Sequence, residues 1–414
     1  MSPKQTQKVD IVVAGGGAAG FFAAVHAKAV RPDLQVVILE KSRELLAKVA
    51  ISGGGRCNVT HHCFDPKEII LHYPRGGKEL LGPFYRFQPS DTLQWFESRG
   101  VKLKTEEDGR IFPVSDDSGE IIRTLTGEAE QLGVNIELQR GLEQAEALDE
   151  GFHLSLSDGS VLECTALILA TGGNRASGGW AVAAQLGHTI VPPVPSLFSF
   201  HVQDSVLEGL AGISVDPVAV GIPEMAAEQF GAVLVTHKGL SGPAVLKLSA
   251  WQARELADRK DQVDIQINWV PRYRGDEVVG ELQRMRKHYG ARPVLTSRLF
   301  DLPRRLWERL CVRAGIMKEV QWSRLSSQQE QALFEVVTAM KCQMRGKTLN
   351  KEEFVTCGGV DLREVQMKSF QSRLNTSLFF AGEVLNIDGV TGGFNFQAAW
   401  TGGYLAGNAA AELF

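Results

Sequence analysis

The sequence predicts an α/β protein. A Rossmann-like parallel-sheet domain is assembled from both ends of the chain, with short strands and a helical segment inserted between them. Three observations predict it. A β-pattern at Val9–Ala14 runs directly into Gly15-Gly16-Gly17-Ala18-Ala19-Gly20 and an Ala-rich helix. A second apolar strand far downstream, Leu167–Leu169, ends in Ala170-Thr171-Gly172-Gly173. A third, Leu378–Ala381, is followed by Gly382-Glu383, by Asp388–Gln397 and by a helical pattern that runs to the last residue.

The bulk properties frame these elements. With 414 residues, 44% hydrophobic and 22% charged side chains, the chain is long enough for two or three domains and too apolar for disorder to be its main state. Its 43 glycines stand out, and they cluster at the turns just named. A balance of 44 basic and 48 acidic side chains points by itself to neither nucleic acid nor a membrane surface. Cys57, Cys63, Cys164, Cys311, Cys342 and Cys357 lack the density of a secreted disulfide framework, so a reducing cytoplasm is expected. Cys57, His61, His62 and Cys63 find no second Cys/His pair at zinc spacing, so no metal is expected. Lys4, Lys8, the apolar Ile11–Val25 and Ala27-Lys28-Ala29 imitate a secretory signal. The three glycine spacings favour strand, turn and helix instead. No other apolar run reaches the ~20 residues of a membrane span, so no membrane association is expected.

The first turn carries the pattern G-x-G-x-x-G at Gly15, Gly17 and Gly20. Gly15 permits a tight turn, Gly17 lets a pyrophosphate approach the backbone, and Gly20 lets the helix lie close on the strand. The helix start, with Ala18 and Ala19, offers N–H groups and a positive dipole end to phosphates. Gln35–Leu39 reads as the second strand, and Glu40 follows Gly20 by twenty residues, where a ribose-binding carboxylate is expected. A carboxylate there selects a 2′-hydroxyl, hence FAD or NAD rather than NADP. Next comes Ser52-Gly53-Gly54-Gly55-Arg56-Cys57-Asn58, a glycine run that is costly unless a ligand approaches closely or φ is positive. Ligand-type turns in the first, middle and last strands imply that the two ends of the chain meet around one large cofactor.

Together with Thr236-His237-Lys238-Gly239-Leu240-Ser241-Gly242-Pro243, these motifs resemble the HI0933-like flavoproteins. This is an NAD(P)/FAD-dependent oxidoreductase family that also carries the names aminoacetone oxidase and BaiN-like. The resemblance covers essentially the whole chain. It implies FAD, a single Rossmann-like domain, and an inserted β-barrel with a helical subdomain. The cofactor-binding residues it implies are Gly15, Gly17, Ala18, Ala19, Gly20, Glu40, Lys41, Lys48, Ser52, Gly53, Gly54, Gly55, Arg56, Cys57, Asn58, Ala170, Thr171, Gly172, Gly382, Glu383, Asp388, Gly392, Gly393, Phe394, Asn395 and Phe396. It also places the Gly392-Gly393 turn at the flavin pyrimidine edge. After Gly173 the family pattern expects a longer loop ending in Gly-Asp-Gly-Tyr, whereas this chain has Asn174-Arg175-Ala176-Ser177-Gly178-Gly179-Trp180.

The expected division is residues 8–190 and 355–414 for the FAD domain, 191–270 and 344–354 for the barrel, and 271–343 for the helical insert. Phe152–Leu156 and Val161–Cys164 flank the hairpin signal Asp158-Gly159, and Pro192, Pro193 and Pro195 mark the exit from the first domain. Phe198–Val202, Val218–Gly221, Ala232–Thr236 and Val263–Trp269 read as strands. Asp276–His288, Pro303–Ala314 and Ser327–Met340 carry helical periodicity. From Pro271 to Lys318 twelve Arg/Lys face five acids, a solvated surface or an RNA-binding face with Tyr273, Tyr289 and Trp307 for stacking.

No second G-x-G-x-x-G opens a second βαβ unit, so any NAD(P)H docks transiently at the flavin. No Cys-x-x-Cys provides a dithiol mechanism. Cys57, as proton donor, and His237, as acid/base, are the catalytic candidates. The function expected is a cytoplasmic FAD-dependent oxidoreductase moving a hydride between flavin and a small organic substrate, by enone-type C=C reduction or amine oxidation. The alternatives are reduction of a uracil C5=C6 bond in RNA and a non-enzymatic flavin redox sensor.

Overall fold

The computed structural model describes residues 7–173, 178–348 and 355–414. The chain divides into two compact units, Met1–Pro195 with Lys351–Phe414, and Ser196–Asn350.

The first unit is built on a mainly parallel sheet. Leu378–Phe380, Val161–Leu169, β1 (Gln7–Ala14), β2 (Val36–Glu40) and Asn135–Leu138 lie side by side and run in the same direction. Val13 stands opposite Ile38 on one side and Ile168 on the other. Helices cover the sheet, so its central strands read as continuous apolar runs, and Ile11, Val12 and Val13 have no exposure. Helix α1 (Ala18–Val30) packs on the C-terminal helix Phe394–Ala411. Their approach requires glycine: a Cβ at Gly407 would lie 2.2 Å from the Ala23 carbonyl oxygen, and one at Gly403 2.6 Å from that of Ala19. The hairpin Phe152–Leu156 and Val161–Leu169 forms across Asp158-Gly159 as the turn chemistry requires. Because the strands are parallel, the turns after β1, β2, Leu169 and Phe380 gather along one edge of the sheet, where ligands of open α/β sheets bind.

In the second unit six strands close an antiparallel barrel: Ser199–Val202, Gly239–Ser241, Ala227–Thr236, Ser214–Ile222, Gln262–Asn268 and Met340–Thr348. Alternating Val218, Val220, Val233, Val235, Ile265 and Ile267 fill its core. Helices Gly275–His288, Arg304–Arg313 and Ser327–Ala339 enter between the fifth and sixth of these strands and extend that core with Trp307, as does Trp322 in the short turn Trp322–Arg324 before the last helix. Trp307 is a correction to the expected stacking surface. It has no exposure, and its Nε1–H donates to the Val294 carbonyl at 3.0 Å.

No described helix is long and apolar enough to cross a membrane, and no described cluster of His, Cys, Asp and Glu has the makings of a metal site. Of the departure after Gly173, residues 174–177 lie outside the described residues, and Gly179–Gln185 is a helix.

Candidate functional site

The three glycines of the first turn exist for different reasons. Gly15 has φ +117°, and a Cβ there would sit 2.4 Å from the Ala170 carbonyl oxygen. A Cβ at Gly20 would lie 1.9 Å from the Gly15 carbonyl oxygen, which would push the helix off the strand. Gly17 has extended backbone that any residue adopts, φ −91° and ψ −173°, and among the described residues nothing lies within 4 Å of its absent Cβ. Within the described residues no contact requires glycine at position 17, and its face is open. Helix α1 starts just there with Ala18 and Ala19, without a side-chain cap and without an acid in its first turn. Asp65, Asp117 and Ser326 cap other helices of the chain. The bare start of α1 leaves its N–H groups and dipole free for an anion.

Glu40 closes β2 and is fixed before any ligand arrives. Its Oε2 accepts the Gly16 N–H at 2.8 Å and its Oε1 accepts the Ser42 N–H at 2.8 Å. Lys41 follows on the exposed side.

The glycine run bends the end of helix α2 (Ala47–Gly55). Gly53, Gly54, Gly55 and Cys57 have φ of 57°, 71°, 86° and 61°. A Cβ at Gly53 would meet the Phe112 ring at 2.7 Å, whereas nothing described lies within 4 Å of one at Gly54 or Gly55. This second open face, like that at Gly17, fits close approach of a bulky group. Arg56 faces the other way. Its guanidinium lies 4.0 Å over the Phe112 ring and pairs with Glu106 at 2.6 Å. Cys57 has no exposure, and burial pushes its thiol up to about 12 against a hydrogen bond from Ser52. The Asn58 amide, oriented by its neighbours, accepts the Gly393 N–H at 2.9 Å and donates to the Thr60 carbonyl at 3.0 Å. This joins the glycine run to the C-terminal turn.

At that turn Gly382 has φ 74° and Glu383 forms an ion pair with Lys48. Thr171 Oγ1, Glu383 Oε1 and Asn386 Oδ1 are buried and have no partner among the described residues. Such atoms are costly unless something bonds them. Ala170 and Gly172 flank Thr171, with Gly172 at φ 72°. Asp388 is already engaged: Arg75 grips its fully buried carboxylate, Nε to Oδ1 at 2.6 Å with a second contact through Nη2. The Asn395 side chain holds Gly389 at both N–H and carbonyl, at 2.8 and 2.9 Å. Phe394 stacks with His61 and His72, and Phe396 with Trp400. His61 Nδ1 lies 2.9 Å from the Gly392 carbonyl, to which it donates. Gly393 caps the C-terminal helix at φ 94°, and a Cβ there would lie 2.5 Å from the Thr60 carbonyl oxygen, so no side chain fits at this position.

A cleft of about 1180 Å³ lies beside these turns. One wall is Leu45, Ala47, Lys48, Ala50 and Ile51; the other is Gly173, Trp180, Pro193, Val194, Pro195, Val355 and Thr356. Of these, only Lys48 is among the cofactor-binding residues expected from the sequence. Pro192, Pro193 and Pro195, expected to mark the exit from the first domain, lie in the strand Ile190–Ser196, whose pairing with Val355–Val360 has no local signal. His237 is not in this unit. It occupies the exposed turn between Ala227–Thr236 and Gly239–Ser241 of the barrel unit.

The residues present fit an adenine dinucleotide. There is a carboxylate at the end of β2, a bare helix start beside an open glycine, a second open glycine pair, and orphaned polar atoms at the third and fourth turns. The HI0933-like protein Rossmann domain matches residues 9–409. Over nearly full length the chain is 29% identical to the ribosomal RNA dihydrouridine synthase of Escherichia coli K12, covering 95% of this chain and 96% of that one. It is likewise 29% identical to the 3-dehydro-bile acid delta(4,6)-reductase of Clostridium scindens, covering 97% and 99%. Among solved structures, the fold is similar to a 3-ketosteroid-delta4-(5alpha)-dehydrogenase from Rhodococcus jostii RHA1, with TM-score 0.54 and 15% identity over 99% of this chain and 98% of that one. It is also similar to a flavocytochrome c3 fumarate reductase, with TM-score 0.52 and 16% identity over 98% and 78%.

Proposed function

The chain belongs to the HI0933-like family of FAD-dependent oxidoreductases, and from that premise we propose that it reduces a carbon–carbon double bond conjugated to a carbonyl in a small organic substrate. The observation that carries this reading is the cleft. Its volume of about 1180 Å³ exceeds the ~300–1,000 Å³ usual for a single small ligand, and its walls are mostly apolar. An apolar substrate therefore has room beside the turns assigned to the cofactor. The names of the curated relatives support the chemistry. A uracil C5=C6 bond and a dienone share a C=C conjugated to a carbonyl, which accepts a hydride at one carbon and a proton at the other. Amine oxidation has no comparable support.

When bound, the flavin supplies two-electron hydride exchange, with NAD(P)H as a transient donor in the cytoplasm. The chain's own residues bind and orient. Glu40 takes the adenosine ribose, and Gly17 with the start of α1 takes the pyrophosphate. Gly54 and Gly55 clear the backbone for the ring system, and the buried oxygens of Thr171, Glu383 and Asn386 accept its donors. Lys48, at the edge of the cleft, holds Glu383 through their ion pair. Cys57, sealed in the core with its thiol up near 12, is a poor proton donor at neutral pH. Its role is to hold the bend. Anaerobic mixing of the reduced holoprotein with a steroid 4-en-3-one tests the reading. Recovery of the oxidised flavin spectrum with a product 2 Da heavier is the expected result, and no reoxidation excludes it.

One observation favours a second reading. Of the twelve cations from Arg272 to Lys318, five pair with carboxylates, in Arg274–Asp276, Arg284–Glu281, Arg286–Glu330, Arg304–Glu308 and Arg313–Asp204. Among the described residues seven have no carboxylate partner, and Arg284 and Arg292 both lie over the Tyr289 ring. Such a surface suits RNA, with uracil as the substrate. Reoxidation by ribosomal RNA but not by the steroid, lost steeply with added salt, would select it.

A further inference from the structure

His188, Glu364 and Ser372 form one hydrogen-bonded line within the first unit. His188 Nε2 lies 2.9 Å from Ser372 Oγ, and Nδ1 lies 3.2 Å from Glu364 Oε2. Serine, histidine and carboxylate in this order form a nucleophilic triad when the serine is accessible. Here it is not: Ser372 has no exposure. Its Oγ already accepts the N–H groups of Leu374 and Asn375, both at 3.0 Å.

Donor and acceptor roles follow from that. Ser372 Oγ has both lone pairs engaged, so its proton goes to His188 Nε2. Nε2 is then the acceptor, and Nδ1–H donates to Glu364. Burial lowers the His188 pKa against the opposing pull of Glu364, which favours the neutral ring that this arrangement requires. Glu364 completes the line. Its Oε2 also accepts the Thr189 N–H, and its Oε1 accepts the Thr189 hydroxyl, both at 2.8 Å. The Thr189 carbonyl in turn accepts the Asp361 N–H at 3.0 Å.

This line sits at the root of two paired strands. Thr189 immediately precedes Ile190–Ser196, and Asp361 immediately follows Val355–Val360. The strands are pressed together: a Cβ at Gly358 would lie 2.7 Å from the Pro192 carbonyl oxygen. Pro193, Val194, Pro195, Val355 and Thr356 of this pair line the cleft.

We propose that His188, Glu364 and Ser372 are positioning residues that lock the root of the paired strands and thereby set the cleft wall against which the substrate packs. The inference rests on reading the cleft as the substrate site. It needs no contact between the three residues and the substrate, because the effect travels along two short strands.

Amide hydrogen exchange on the full-length holoprotein tests the anchor. In Glu364→Gln and in Ser372→Ala, the amides of Ile190, Val191, Val194 and Ser196 and those of 355–360 exchange about ten-fold faster, while those of β1 and Val161–Leu169 do not change. Thr189→Ser, which keeps both bonds to Glu364, behaves as wild type, and Thr189→Val does not. With a steroid 4-en-3-one as probe, KM rises about five-fold in Glu364→Gln with kcat within about two-fold. Unchanged exchange in the two strands of a folded Glu364→Gln overturns the proposal. So does equal acceleration in every strand, which marks general destabilisation. Failure of the wild type to turn over the probe overturns the reading of the cleft, and strand exchange still decides the anchor.

Discussion

The carboxylate of Glu40 closes on the backbone of Gly16, Oε2 accepting its N–H at 2.8 Å, and thereby ties the end of β2 to the glycine turn of β1. The carboxylate proposed to take the ribose and the turn proposed to take the pyrophosphate are thus one rigid piece. Glu40→Ala is expected to lose both the ribose contact and this tie. The cost of an unsatisfied polar partner is about 1–3 kcal/mol, or roughly 5–150-fold in FAD affinity. Titration of the apoprotein with FAD measures it, and an unchanged Kd would remove Glu40 from the site.

Gly17 and Gly15 separate binding from folding. Gly17→Ala places its methyl in open space on an ordinary backbone, so the apoprotein should unfold within about 0.5 kcal/mol of wild type. FAD affinity should nevertheless fall by ten-fold or more, about 1.4 kcal/mol, if that space holds the pyrophosphate as proposed. Gly15→Ala meets the Ala170 carbonyl at positive φ and should destabilise the apoprotein itself. Denaturant unfolding of both apoproteins, followed by FAD titration, checks the pair. Equal effects on stability would contradict the assignment.

The elements carried by local pattern were legible in the sequence. The strand, glycine turn and helix at Val9–Val30 needed only adjacent residues, and the three insert helices showed apolar spacings that the structure keeps. Trp307 was misread although its signal was present. Leu306, Trp307, Leu310, Cys311 and Ala314 follow one helical face, and that face is buried. Side chains whose partners lie far along the chain were not legible. The pairing of Arg56 with Glu106, fifty residues on, has no local signal. Asp388 stood out in the C-terminal block, but nothing local showed that its partner is Arg75, 313 residues away. Neither the line from His188 to Ser372 nor the cleft wall it supports has any local pattern.

The Arg75–Asp388 pair should be a stability element. Asp388 is fully buried, so Asp388→Ala removes the carboxylate that the Arg75 guanidinium grips at the edge of the core. Breaking a buried pair in this way costs about 3–5 kcal/mol. Replacing both residues by apolar ones, as in Arg75→Met with Asp388→Leu, should recover much of that loss. Chemical denaturation of the two single variants and the double variant gives the coupling, and additive losses would show that the pair is not coupled.

His26 sets a pH dependence of stability whose sign is determined by burial. Its ring packs against Phe22 and Tyr404, near Phe87 and Trp95, and its Nε2 is buried without a partner among the described residues. Desolvation, and secondarily the Arg99 charge, lower its pKa from 6.5 to about 3. The unfolded chain therefore takes up a proton near 6.5 that the folded protein refuses until about 3. The stability this neutral histidine permits is fully present above 6.5 and is lost as the pH falls from 6.5 toward 3, with a limiting slope of about 1.4 kcal/mol per pH unit for one proton. Other groups titrate in the same range, so the informative quantity is a difference. His26→Phe, which suits the aromatic surroundings, removes this proton alone. Between pH 6.5 and 4 its unfolding free energy should fall less steeply than that of wild type, and the two curves should run parallel above pH 7. Denaturant unfolding at half-unit pH intervals measures both. Parallel curves throughout would mean that His26 takes up its proton equally in both states, and that its burial carries no penalty for the charged form.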